Sequence, residues 1–222
     1  MICRLIEAVP RPIDIINDDG KIGAVYQKVN GKTMLKEMMS KPWLFRKHAK
    51  QLAVYHIDMQ KPVDFELPTV KGKLKQDIDA AILLAEEEKQ RLYKYIDSLP
   101  DGNALCHFDY HPDNVMLSVN NYTIIDWMTA CKGDKLSDVA RTCVILNFSK
   151  IPRVPAVVNL VLGVFQKQIL KIYLNEYLRI TNAKIENIKK WETPIAAARL
   201  REWIPEQKQR ALLTFVREGL EN

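Results

Sequence analysis

Apolar and polar residues alternate with a period of two near the beginning of the chain. Residues 13–29 alternate on both sides of Asp18-Asp19-Gly20, a sequence that is typical of a tight hairpin turn. We therefore predict a β-hairpin over residues 13–29. A single hairpin is only marginally stable in water, so this one needs further strands or a helix to pack against. Asn30-Gly31 ends the pattern and is interpreted as a hinge.

Short apolar runs return in the middle of the chain. Ala104-Leu105-Cys106 is predicted to be a buried strand, because it is brief, apolar and preceded by the turn residues Asp101-Gly102. Residues 114–119 and 122–125 are predicted to pair as a second hairpin around Asn120-Asn121. These strands enclose a segment rich in histidine and aspartate.

Helical spacing of apolar residues dominates the remainder of the chain. Residues 1–9 resemble the last turns of a helix that Pro10 and Pro12 end. Ser137-Asp138 is predicted to cap a helix that runs to about Asn147. The other predicted helices cover residues 33–39, 43–60, 74–99 and 155–179, with two or three more that are interrupted by Pro194 and Pro205.

Composition limits the classes of protein to which the chain can belong. The 222 residues are 47% hydrophobic, which is ordinary for a globular protein with a sizeable core. The net charge of +6 comes without a dense lysine and arginine cluster or a nucleic-acid-binding motif, so we expect no nucleic-acid partner. Four cysteines without a CxxC pair indicate free thiols. With no signal peptide and no membrane-spanning run, the sequence predicts a soluble cytoplasmic protein.

The polar residues of the central segment suggest phosphoryl transfer. Asp126 ends an apolar strand, and a carboxylate in that position needs a cation to offset its burial. Asn114 opens the neighbouring strand, so the two side chains offer oxygen ligands of the kind that Mg²⁺ accepts, with phosphate oxygens completing its shell. Asp109 lies in the preceding loop and is placed to accept a proton from a substrate hydroxyl.

The same residues carry a resemblance to a known family. His107-x-Asp109-x-His111-x-x-Asn114, followed by Ile125-Asp126-Trp127 and by Asp138-Val139-Ala140-Arg141, resembles the aminoglycoside phosphotransferase and choline kinase family. These proteins are small-molecule kinases. The resemblance implies an α+β, protein-kinase-like fold, with an incomplete N-terminal β lobe in residues 1–30 and a mainly helical catalytic and substrate-binding lobe in residues 31–222.

The resemblance also implies a role for each matching residue. Asp109 would be the catalytic base and His107 would brace its loop. Asn114 and Asp126 would hold Mg²⁺, and Asn114 would also contribute to cofactor binding. The backbone of Gln27, Lys28 and Val29 would contact the adenine of ATP, while Asp138 and Arg141 would anchor the catalytic loop. The expected partner is a small molecule with a hydroxyl acceptor.

The sequence departs from the family pattern in two places. Phe108 stands where the family usually has glycine. The family's glycine-rich loop and phosphate-binding lysine precede the hairpin, whereas only nine residues precede Pro10 here. The chain therefore resembles the family with roughly its first three strands missing. A catalytically inactive, truncated kinase-fold binding module is the alternative that this departure leaves open. A metal-dependent hydrolase that uses His107, Asp109 and His111 is a third.

Overall fold

The computed structural model describes residues 2–119, 121–148, 156–202 and 206–221, in which short strands line one side of a helical body. The fold is α+β, as predicted. The helices are α1 (Ile2–Leu5), α2 (Met34–Ser40), α3 (Phe45–Met59), α4 (Val70–Asp79), α5 (Glu86–Ser98), α6 (Lys135–Phe148), α7 (Ala156–Thr181), α8 (Ile185–Ala198) and α9 (Glu206–Glu221). The strands are β1 (Pro12–Asp18), β2 (Lys21–Tyr26), β3 (Lys32–Thr33), β4 (Ala104–Cys106), β5 (Val115–Leu117), β6 (Tyr122–Ile124) and β7 (Cys131–Gly133).

The predicted hairpin over residues 13–29 is confirmed as the antiparallel pair β1–β2. Asp19 and Gly20 have φ angles of 47° and 79°, which are the positive values that a type I′ hairpin turn requires. The segment before the hairpin is tied to the body of the protein, because Ile124 N donates a 2.7 Å hydrogen bond to Ala8 O. Strand β6 therefore holds the N-terminal segment directly.

The second predicted hairpin is also confirmed, as β5–β6, and a third strand that the sequence did not reveal extends it. Strand β3 pairs with β5 immediately after the hinge. Gly31 makes this approach possible: its φ is +145°, and a Cβ at this position would collide with the carbonyl oxygen of Leu117. The hinge is thus packed against the hairpin that Asn114 precedes and Asp126 follows.

The prediction of a single helix over residues 74–99 is wrong. Helix α4 ends at Asp79 and α5 begins at Glu86, because the intervening turn buries Ala81 and Leu84 in the core. The charged run at the beginning of α5 favours a helix start, since acidic residues stabilise the positive end of the helix dipole. Glu88 Oε2 also accepts a 2.8 Å hydrogen bond from Ala85 N, which satisfies one of the unpaired N–H groups there.

The predicted cap at Ser137-Asp138 is wrong as well. Helix α6 begins at Lys135, and Asp134 Oδ1 accepts a 3.0 Å hydrogen bond from Leu136 N in the position of a cap. Ser137 and Asp138 are buried within the first turn, so their side chains are available for tertiary contacts. Helix α6 is buried along most of its length and packs between α7 and α8.

Some predicted features fall outside the described residues, namely the turn residue Asn120 together with Pro155 and Pro205. Within the part of the chain that the structure covers, no helix combines the length and apolar character needed to cross a bilayer.

Candidate active site

The loop between β4 and β5 is fixed by the buried ring of His107. Its Nε2 lies 2.9 Å from the carbonyl oxygen of Ile125, to which it donates, while Nδ1 accepts a hydrogen bond from Asp109 N at 3.3 Å. Both ring nitrogens therefore contact the backbone. Burial lowers the pKa of the imidazole, which agrees with the neutral tautomer that these two contacts require. The ring links the Asp109 loop to the residue that precedes Asp126.

Helix α6 holds the same loop from behind, as predicted for Asp138 and Arg141. The carboxylate of Asp138 accepts hydrogen bonds from the backbone N–H groups of His107 and Phe108, both at 2.8 Å. Arg141 Nε donates to Phe108 O at 3.1 Å, and its guanidinium lies 5.5 Å from the centre of the Phe108 ring. Burial acts to raise the pKa of Asp138, but His56, His107 and the Phe108 N–H outweigh it and lower that pKa.

The backbone at Phe108 has a positive φ angle, which is the conformation that glycine adopts most easily. Its φ of 63° lies in the left-handed region, which costs a residue with a bulky side chain about 1–2 kcal/mol. The contacts to Asp138 and Arg141 hold this conformation, and burial of the ring contributes further stabilisation. The departure from the family pattern thus preserves the turn.

Asp109 and Asn114 lie in direct contact at the two ends of the loop. Asn114 Nδ2 donates to Asp109 O at 2.9 Å and to Asp109 Oδ2 at 3.2 Å. Because the amide nitrogen faces this carboxylate, the amide oxygen of Asn114 is the atom that remains for a cation. The side chain of Asp109 is 34% exposed, so a substrate can reach it. His111 Nε2 lies 3.8 Å from Asp109 Oδ2.

Asp126 lies just beyond the end of β6 and directly follows Ile125, whose backbone is hydrogen-bonded to that of Asn114. Ile125 N donates a 2.9 Å hydrogen bond to Asn114 O, which brings the two predicted metal ligands to adjacent strands. Asp126 adopts φ 63° and ψ 60°, a left-handed conformation that aspartate tolerates better than most residues. Its side chain is exposed and lines a cavity. Trp127, half-buried beside it, donates from Nε1 to Ile124 O at 2.8 Å.

We call this space the hairpin cavity. It measures about 740 Å³ and is mainly apolar, with walls from the β1–β2 hairpin on one side and from β5 and the Asp126 segment on the other. Of the three residues predicted to contact adenine, Gln27 and Val29 line it, whereas Lys28 is exposed and does not. The N–H of Gln27 is already bonded to Arg11 O at 2.8 Å, so other backbone groups must meet a ligand.

An ion triad adjoins the loop on the side of the C-terminal helices; both of its arginines are buried, while the side chain of Glu202 is 32% exposed. Glu202 accepts from Arg141 Nη2 at 2.6 Å and from Arg199 Nε at 2.9 Å. Burial acts to raise the pKa of Glu202, but the two arginines outweigh it and the pKa is lowered. Burial lowers the pKa of His111, although the charge of Asp109 opposes that shift, while Arg199 adds to it. Arg199 therefore lies close enough to the loop to affect its charges.

No local sequence pattern indicates this triad. Glu202 bonds to Arg141 across 61 positions of the chain, and Arg199 joins the triad through Glu202. Trp191, from the same segment, is a core residue whose Nε1 donates to Asp134 Oδ2 at 3.1 Å.

A metal-dependent hydrolase site made of His107, Asp109 and His111 is not supported by this geometry. Both ring nitrogens of His107 are occupied by the backbone. Among the described residues, no group of three or more histidine, cysteine, aspartate or glutamate side chains converges as a metal site would require.

Comparison with solved structures shows the fold. The chain is similar to an amicoumacin kinase in complex with AMP-PNP and Ca²⁺, with a TM-score of 0.61 and 13% identity over 96% of this chain and 72% of that one. It is similar to an aminoglycoside-3′-phosphotransferase of type VIII, with a TM-score of 0.55 and 17% identity over 89% and 76% of the two chains. It is also similar to a choline kinase from Cryptosporidium parvum Iowa II, with a TM-score of 0.55 and 13% identity over 99% of this chain and 75% of that one.

No curated protein sequence matches the chain significantly. A family model does match, and it covers the N-terminal hairpin, the loop with Asp109, the Asp126 strand and helix α6 in one continuous alignment. Residues 4–163 match the model described as the phosphotransferase enzyme family (APH), and the chain is therefore a member of that family.

Proposed function

We propose that the chain transfers a phosphoryl group from ATP, with Mg²⁺, to a hydroxyl group of a small molecule in the cytoplasm. In this proposal residues 1–30 belong to the nucleotide-binding lobe, and residues 31–222 carry catalysis and acceptor binding. The observation that carries it is the contact between Asp109 and Asn114 beside the Asp126 strand, because a base and two hard-oxygen ligands are what phosphoryl transfer needs.

The residues present fit the nucleotide and the metal. The hairpin cavity has apolar walls, including Val29 and Met116, that suit a planar base, and Asp126 lies at its edge. The complex of the amicoumacin kinase contains both a nucleotide analogue and a divalent cation, which supports the same pairing here. When bound, ATP and Mg²⁺ supply the phosphoryl group and the positive charge that neutralises it.

The side chains of the site have distinct roles in this mechanism. Asp109 orients the acceptor hydroxyl and takes up its proton. Asn114 donates to the Asp109 carboxylate, which fixes its direction, and offers its amide oxygen to the cation together with the Asp126 carboxylate. His107 positions the loop through its two backbone contacts and does not need to change protonation.

The triad of Arg141, Arg199 and Glu202 affects which charges an acceptor molecule can carry. Both oxygens of Glu202 are engaged by arginines, so this carboxylate is not available to an ammonium group. The two arginines and Glu202 together carry a net charge of +1, so the trio supplies no negative charge to bind an ammonium group. We therefore expect an acceptor with few or no ammonium groups.

The test is acceptor-dependent ADP release from Mg²⁺-ATP by the whole protein, with a panel that contains neutral polyols, choline and aminoglycosides. Asp109→Asn should reduce turnover by about 10²–10⁴-fold, the usual contribution of a general base. It should leave Mg²⁺-ATP affinity nearly unchanged. Asp113→Asn is the matched control, since this aspartate lies on the same loop and is exposed.

The possible failures are distinguishable. Retained Mg²⁺-ATP binding without turnover on any acceptor would favour the inactive binding module. Equal loss in the Asp109 and Asp113 variants would contradict the assignment of the base. Loss of nucleotide binding in Asp109→Asn would contradict its role as well.

A further inference from the structure

A second cavity lies on the far side of the hinge and has no function in the mechanism above. It measures about 790 Å³ and is enclosed by α2, α3 and the turn end of the β5–β6 hairpin. It shares no lining residue with the hairpin cavity. We call it the lysine cavity. The lining residues that carry the argument are Lys32, Glu37, Lys41, Lys47, His48 and Gln51.

The lining of this cavity carries an excess of positive charge. Lys41 Nζ is paired with Glu37 Oε2 at 2.9 Å, which uses the acidic residue of the group. Lys32 and Lys47 are exposed and form no ion pair with the residues that the structure describes. The lining therefore holds three lysines against one glutamate, and such an excess of positive charge raises the local concentration of anions. The cavity thus favours a ligand with negative charge.

His48 provides an independent observation. Its side chain lines the lysine cavity but is only 7% exposed, and within the described residues its buried Nε2 has no hydrogen-bond partner. Nδ1 lies 2.9 Å from Gln51 Oε1, and an amide oxygen only accepts, so Nδ1 carries the proton. In the neutral ring Nε2 is therefore an acceptor. Leaving a buried polar atom unpaired is unfavourable, and a hydroxyl donor from a ligand would satisfy it.

Two close contacts join the elements that form the walls of the cavity. Tyr55 and Tyr122 stack with ring centres 3.6 Å apart, joining α3 to β6 at the side of the cavity. Gly31 packs against Leu117 on the other side, where no larger residue fits. The cavity is therefore formed by parts of the fold that are fixed to each other.

We propose that the lysine cavity binds a soluble phosphate monoester that also carries hydroxyl groups. Lys32 and Lys47 contact the phosphate, and His48 Nε2 accepts a hydrogen bond from a hydroxyl. This site is separate from the nucleotide and acceptor sites, so its occupancy does not depend on catalysis.

Isothermal titration of the whole protein with glucose 6-phosphate, glucose and inorganic phosphate tests the proposal. Glucose 6-phosphate should bind saturably and more tightly than either glucose or inorganic phosphate. Lys47→Met and Lys32→Met should each weaken it by about tenfold, as expected for loss of one charge-assisted hydrogen bond. Lys94→Met is the control, because it removes the same charge from an exposed position on α5.

A second variant tests the histidine. His48→Phe keeps an aromatic ring but removes the acceptor, so the affinity for glucose 6-phosphate should fall toward that for inorganic phosphate. Saturating Mg²⁺-ATP should leave the binding unchanged. The proposal is overturned if glucose 6-phosphate does not bind saturably, if Lys47→Met and Lys94→Met weaken it equally, or if Mg²⁺-ATP displaces it.

Discussion

His56 Nε2 lies 3.1 Å from Asp138 Oδ2, and neither side chain is exposed to solvent. The other ring nitrogen of His56 lies 2.6 Å from the hydroxyl of Tyr173, so hydrogen bonds run from α7 through α3 to α6. Asp138 passes this support to the backbone of the Asp109 loop. The loop is thus positioned by a network in the core of the helical body, in which His56 has a structural role.

Removing the Asp138 carboxylate should strongly destabilise the protein. Asp138→Ala leaves the N–H groups of His107 and Phe108 and the ring of His56 without their buried acceptor. Loss of one partner from a buried charged network costs about 3–5 kcal/mol in the free energy of unfolding. Urea denaturation measures this change. Asp101→Ala, at an aspartate that is 89% exposed, should give no measurable change, and equal effects would refute the role of Asp138.

Gly31→Ala should destabilise the hinge. The substitution places a Cβ against the carbonyl oxygen of Leu117 and forces alanine to a φ of +145°, so we expect a loss of at least about 2 kcal/mol. The control is Gly163→Ala in helix α7, where a new methyl group meets nothing and should stabilise the helix by about 0.5–1 kcal/mol. Thermal unfolding of both variants checks the signs, and a neutral Gly31→Ala would contradict the close approach.

Stability should fall as the pH is lowered from 7.5 to 5.5. Burial lowers the pKa of His107 in the folded protein, so the unfolded chain takes up this proton first. The stabilisation is therefore complete above the unfolded pKa of about 6.5 and is lost below it, by up to about 1.4 kcal/mol per pH unit. Burial also lowers the pKa of His111, so its contribution to stability is lost in the same direction as the pH falls. The slope should decrease in His107→Asn and, to a smaller extent, in His111→Asn; an unchanged slope in both variants would disprove the cause.

Glu202→Gln should uncouple the two arginines that it joins. Glutamine accepts at one oxygen only, so either Arg141 or Arg199 loses its partner in a buried setting, at a cost of about 1–3 kcal/mol. Because Arg141 also contacts Phe108 O, turnover should decrease together with stability. Glu206→Gln is the matched control, since its pair with Arg210 is exposed and should contribute nothing measurable. Identical behaviour of the two variants would show that the triad has no special role.

The parts of the fold that local chemistry determines were predictable. The turn at Asp19-Gly20 requires positive φ angles, and the hairpin around it formed as expected. The spacing of Asp109 and Asn114 indicated that these two residues lie together, and the hydrogen bond between their side chains agrees with that placement. In both cases the signal lies within a few residues of the structure that it specifies.

The parts that depend on distant partners were not predictable. Strands β3 and β7 are two and three residues long, too short to display a period, and they exist because β5 and β4 pair with them. The break between α4 and α5 arises because Ala81 and Leu84 are drawn into the core. The triad of Arg141, Arg199 and Glu202 depends on how α8 packs against α6, which no local pattern reports.

The left-handed backbone of Asp126 affects how its chemistry can be measured. Alanine at this position would remove a carboxylate and also lose a residue type that tolerates the conformation, so the short helical turn at Trp127–Thr129 could shift at the same time. Asparagine is favoured in that conformation, and it removes the charge while replacing one carboxylate oxygen with an amide nitrogen. An alanine scan would therefore overstate the contribution of the carboxylate, and the asparagine variant gives the closer measure of it.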